Sequence, residues 1–180
     1  MEYERLQEEN SAVNTYLACI RPRFIEYGFL WEDDVASEHV EVRSVAARHF
    51  GTIESLVNWR EGIGGQFVFI FTAIDTLTTS LLHEYTTGCE RFVWYQRPPR
   101  SGSVSYIIPV ILTYEMAVET RNIVLESKPT VLLAKWNSPA IIPVVYDLEE
   151  QTLLHTNRRR RLYIAIWGRV YRFIRPMLTP

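Results

Sequence analysis

The residues whose type and spacing best suit them to chemistry are seven arginines near the end of the chain. Arg158, Arg159, Arg160 and Arg161 form one run, and Arg169, Arg172 and Arg175 follow at intervals of three. A guanidinium group keeps its charge at any physiological pH and grips carboxylates and phosphates through a fork of donors. No acid interrupts these residues: the last 23 positions hold seven Arg and no Asp or Glu, whereas residues 2–9 hold four Glu against one Arg. Such asymmetry marks a partner-binding end, or two ends that face each other within a subunit or across a dimer. The whole chain carries a net charge of −2, so it exerts no general attraction on nucleic acid or anionic lipid.

A helix of 3.6 residues per turn over residues 158–175 sorts this segment into two sides. Tyr163, Ile166, Trp167, Val170, Ile174 and Met177 fall on one stripe, and Arg161, Ala165, Gly168, Arg169, Arg172 and Arg175 on the other. Burial of the apolar stripe on a sheet, arginines outward, is the leading reading. A helix lying flat on an anionic membrane surface and an arginine rail on phosphate backbones are the alternatives. The run of four arginines stands where the helix macrodipole disfavours positive charge, by on the order of a few tenths of a kcal/mol per residue. An acidic or phosphorylated partner is the natural counterpart for it.

Elsewhere the chemistry is thin. The four histidines, His39, His49, His83 and His155, show no i,i+4 pairing and no neighbouring cysteine, so no metal site is assigned. His83 beside Glu84 is the one pair that admits an acid/base reading, the basis of an alternative enzyme hypothesis of unknown type. The glycines of "EGIGGQFVFIF" precede a strand, whereas phosphate loops lead from a strand into a helix. "WEDD" at residues 31–34 bunches its acids without the spacing of a cation loop, and reads as a solvated acidic turn or a patch for an arginine-rich partner. "ESK" at residues 126–128 has the E-x-K form of some nucleases but ends a helix rather than lying on a strand. Two cysteines, Cys19 and Cys89, stand far apart, which leaves no disulfide framework and points to reduced, mostly buried thiols. With no GxSxG and no placed nucleophile, neither a catalytic residue nor a cofactor is assigned.

These residues need a scaffold. At 180 residues, 47% hydrophobic and 22% charged, the chain has the make-up of one globular domain able to bury a core. The longest apolar run, residues 67–74, stops at Asp75, short of the ~18 residues a membrane helix requires. No apolar leader opens the chain. The expectation is a soluble, intracellular, cytoplasmic protein without a transmembrane segment. An aromatic share of 13% hints at an interaction surface, hence self-association, with a homodimer as its simplest form.

Periodicity predicts a helix over the first twenty residues, stopping near Pro22, then an irregular stretch containing a brief alternation at "HVEVRSV" and a short helix at "TIESLVNWREG". From residue 66 the signal strengthens. "QFVFIFTAI" reads as a buried strand and "DTLTTSLLHEYTTG" as a helix closed by Gly88. "RFVWYQ" and "VSYIIPVILT" read as a hairpin, and "YEMAVETRNIVLES" as a helix bearing Met116, Ile123 and Val124. "TVLLAKW", "IIPVVYD" and "TLLHT" supply strands, with "LEEQ" as the turn between the last two, before the basic helix. Pro109 and Pro143 belong at bulges or on edge strands, since proline donates no ladder hydrogen bond.

The predicted class is α+β: a single domain whose mixed or antiparallel sheet has β-α-β-β-α-β-β-β-α order from residue 66. That order fits a ferredoxin-like or a roadblock/profilin-like arrangement equally well. Residues 1–65 form an N-terminal helical or irregular segment packed on the core of residues 66–180. A βαββαβ order is also that of RNA-binding sheets, but Phe67, Phe69 and Phe71 read as core, because "SYIIPVILT" lacks the basic, aromatic platform such sheets use. The functional expectation is a non-enzymatic protein-interaction or assembly module whose basic C-terminal helix contacts an acidic partner. Nucleic-acid binding through Arg158–Arg161, Arg169, Arg172 and Arg175 comes next, and the enzyme around His83 and Glu84 third.

Overall fold

The structure, a computed structural model, describes residues 2–50, 65–98, 104–126, 140–155 and 173–180. It is a mixed α+β fold built on one twisted sheet. Helix α1 (Glu2–Glu26) leads into strands β1 (Leu30–Asp33) and β2 (Ser44–Phe50), then β3 (Gly65–Ala73), β4 (Thr76–Leu77) and α2 (Thr79–Gln96). Strands β5 (Val104–Thr113) and β6 (Glu115–Met116), α3 (Val118–Glu126), β7 (Ala140–Ile141), β8 (Val144–Asp147) and β9 (Thr152–Leu154) follow. Residues 173–178 form a last helical turn, α4.

The main sheet runs β1-β2-β3-β5-β8-β9, with β7 pairing β5 ahead of β8. Its centre is parallel: β3 lies beside β5 and β5 beside β8, joined through α2 and α3, while β1-β2-β3 and β8-β9 are antiparallel. Parallel neighbours require a crossover, and helices provide it. Both crossovers use the same device, because β4 and β6 pair with each other at the point where β3 and β5 give way to their helices. Glu115 N donates to the Asp75 carbonyl and Ile74 N to the Leu112 carbonyl, each at 2.9 Å, and these bonds hold the two exits together.

Five expectations change. Residues 91–96 continue α2 rather than forming a strand, so the predicted hairpin is absent and with it the ferredoxin-like or roadblock/profilin-like order. The aromatic, β-branched run "RFVWY" mimics a strand, yet buried Leu82, Tyr85, Cys89, Phe92 and Val93 keep helical spacing. Gly88 does not stop the helix; it admits a neighbour. A Cβ there would stand 2.6 Å from the carbonyl oxygen of His39 and 2.9 Å from Val40 Cβ. Likewise Pro22 lies inside α1, which continues to Glu26.

Pro109 is not on an edge: it lies within β5, at the centre of the sheet, opposite Ile70 of β3. The Ile107 carbonyl accepts from Ile142 N, and the Thr113 carbonyl from Leu148 N, so alternate residues of β5 turn toward β7 and β8. Pro109 therefore faces the break between β7 and β8, where no donor is called for. Residues 30–50, irregular by sequence, supply two strands of the sheet.

Alternation along β3 builds two cores. Phe67, Phe69 and Phe71 point to the α1 face and Val68 and Ile70 to the α2/α3 face. All five are at most 5% exposed, so the phenylalanines form core rather than a base-stacking platform.

Candidate functional site

A cleft of about 310 Å³ opens where α1 leaves the β1–β2 hairpin. Asn14, Leu17, Ala18 and Arg21 line one wall at helical spacing, and Trp31, Asp33, Asp34, Arg43 and Ser44 line the other. The backbone between β1 and β2 is tied by Asp34 N donating to the Arg43 carbonyl at 2.8 Å, while Arg43 N reaches the Phe71 carbonyl at 2.8 Å. Asp34 holds a left-handed backbone, φ 50°, which Asp tolerates better than most residues.

Asp33 is the strut of the cleft. Its Oδ2 accepts from Arg21 at 2.9 Å, and its Oδ1 accepts from Trp31 Nε1 at 2.7 Å and from the Ser44 hydroxyl at 2.8 Å. The Trp31 ring packs on Phe71 at 5.2 Å and edge-on to Phe24 at 5.4 Å, which roots the polar wall in the core. Arg21 and Asp33 are each nearly half exposed, so their ion pair adds little stability; its effect is to set direction. Two of the three acids of "WEDD" are thus answered inside the chain, Asp33 by Arg21 and Glu32 by Arg97. Among the described residues no group of three His, Cys, Asp or Glu gathers as a metal site would require.

The basic end is described only in its last part. Arg158, Arg159, Arg160, Arg161, Arg169 and Arg172, with Trp167, lie outside the described residues; Arg175 is exposed. On the same turn Ile174, Met177 and Leu178 are at most 1% exposed, packed into the α1 core. Two residues of α1 clasp this end: the Tyr16 hydroxyl donates to the Leu178 carbonyl at 2.7 Å, and Arg23 donates to the carbonyls of Pro176 and Thr179. A guanidinium on the last carbonyls of a helix satisfies orphan acceptors and suits the negative dipole end.

His83 and Glu84 are both exposed on α2, away from the cleft. Glu126 ends α3, with residues 127 and 128 of "ESK" outside the described set. Cys89 is buried against Tyr85, where burial pushes its thiol far above the usual range. Cys19, expected inside, is exposed. Burial also raises the phenols of Tyr16, Tyr85, Tyr106 and Tyr146, Tyr106 to about 12, so these groups stay neutral and act as packing and hydrogen-bonding residues. The Tyr85 hydroxyl donates to the Ile70 carbonyl at 2.9 Å.

Sequence patterning drew attention to "WEDD" but not to Asn14, Arg21 or Arg43. Its one usable signal was an Asn and an Arg seven residues apart on the face of α1 that also carries buried Leu17. No described helix is long and apolar enough to cross a membrane. Comparison of the chain with protein-family models, curated proteins and solved structures gives no match.

Proposed function

We propose that the chain is a non-enzymatic protein-interaction or assembly module whose basic C-terminal segment contacts an acidic partner. The observation that carries this is the division of residues 173–178. Ile174, Met177 and Leu178 are sealed into the core while Arg175 is exposed, and by sequence period Arg169 and Arg172 share the side of Arg175. The clasp by Tyr16 and Arg23 anchors the segment to α1. Exposed Trp94 and Tyr95 on α2 and Tyr27 after α1 support self-association as a further assembly contact.

The test is fluorescence anisotropy of a glutamate-rich peptide and of duplex DNA against the full chain over a salt series, with light scattering for the mass of the protein alone. The expected result is peptide binding that weakens with salt and disappears when Arg158–Arg161 are reversed to Glu. Peptide binding untouched by that reversal sinks the reading. Duplex binding with a steep salt slope and no affinity for the peptide transfers the segment to nucleic acid, and a strict monomer at high concentration removes self-association.

A further inference from the structure

We propose that the cleft between α1 and the β1–β2 hairpin binds a small zwitterion with a carboxylate and an ammonium group close together, the chemistry of a free α-amino acid. This site is separate from the basic end and stands without it.

Size comes first. About 310 Å³ is the low end of small-molecule sites, enough for an amino acid and too small for a nucleotide with its phosphates. Charge then selects. Arg21 stands on one wall, and Asp33, Asp34 and Arg43, the last paired with Glu41 at 3.9 Å, stand on the other. Asp33 accepts from three donors and serves to aim Arg21. Arg21 uses one N–H on that carboxylate, and a guanidinium has five, so it retains donors for a second acceptor. Asp34 is exposed, and its carboxylate meets no partner among the described residues. An inorganic anion entering here meets Asp34; a simple cation meets Arg21. Only a molecule bearing both signs is matched at each end. Asn14, which can donate and accept, adds to the polar lining, and Leu17, Ala18 and Trp31 offer apolar contacts to a side chain.

Isothermal titration calorimetry of the full chain with each free L-amino acid tests this. Then come the N-acetyl and C-amide derivatives of the best binder, and the variants Asp34→Asn and Arg21→Gln. Asparagine tolerates the left-handed backbone at position 34, so Asp34→Asn keeps the fold. The expected result is millimolar or tighter binding of at least one free amino acid, about tenfold weaker for either blocked derivative and for either variant. Should Arg21→Gln lose its fold by circular dichroism, Asp34→Asn alone decides. The proposal is overturned if no free amino acid binds, if a derivative lacking one charge binds as well as its parent, or if Asp34→Asn leaves the affinity unchanged.

Discussion

The two faces of the sheet solve the same covering problem with different side chains. On the α1 face the core is aromatic: Phe24, Phe29, Phe67, Phe69 and Phe71 with Tyr16, Tyr106 and Tyr146. On the opposite face Val45, Val68, Ile70, Ile107, Ile111 and Val145 meet α2 and α3. A helix is about 10 Å across and strands lie about 4.8 Å apart, so one helix covers roughly two strands. Two crossover helices lie side by side on the second face, where short branched side chains suffice. On the first face α1 and residues 173–178 are the described cover, and the rings pack against them beside Ile108, Val110, Leu112, Ile142 and Val144. Where that cover ends, at the β1–β2 hairpin, the polar cleft begins.

Truncating one residue on each side of β3 tests the contrast most severely. Phe69→Ala should cost toward the upper end of about 3–5 kcal/mol in urea unfolding, because contacts with Phe24 at 4.9 Å and Phe29 at 5.6 Å go with it. Ile70→Ala, its neighbour on the other face, should fall toward the lower end of about 2–5 kcal/mol. Equal or reversed costs would break the idea that the rings carry more of the packing.

Gly88→Ala probes how closely the second face is covered. Alanine favours a helix by about 1 kcal/mol over glycine, so an open site would gain stability. With the His39 carbonyl in the way, a net loss of about 1–3 kcal/mol is expected instead. A rise in the urea midpoint would show that residues 39 and 40 yield.

The smallest effect at neutral pH concerns the tyrosines. Tyr106 is raised to about 12 by burial, from an ordinary value near 10. A folded pKa above the unfolded one gives a contribution fully present below about pH 10 and lost as pH rises from there toward 12. Tyr16 and Tyr146 share the α1 face and the direction of shift; Tyr85 is their counterpart opposite. Stability should hold steady up to about pH 10 and then fall. Tyr106→Phe should make the fall shallower, and an unchanged alkaline slope would assign it to other groups.

Some of this was legible in the chain. Alternation placed Phe67, Phe69 and Phe71 on one buried face, and α1 and α3 were read as helices, although α3 begins only at Val118: of its expected stripe Val124 is buried, Ile123 is exposed and Met116 lies on β6. Misreadings arose where local preference and tertiary context disagree. Residues 91–96 have strand propensity but lie on a helix because Phe92 and Val93 are needed against the sheet. Gly88 resembles a cap and is instead a point of close approach, and Pro109 resembles an edge marker yet lies in a central strand that has a gap beside it. The cleft was illegible for another reason. Arg21 and Asp33 are twelve residues apart, and Asp34 and Arg43 nine, with nothing in their spacing to join α1 to the hairpin.

By itself the sequence determined the α+β class, the identity of the buried strand and the sidedness of Ile174, Met177 and Arg175, because periodicity of hydrophobic burial is a local property of the chain. The parallel pairing of β3, β5 and β8, the passage of α2 through Gly88 and the meeting of Arg21 with Asp33 were decided only by the tertiary structure. Each depends on which surfaces come together once the rings of one face and the branched side chains of the other have been removed from water.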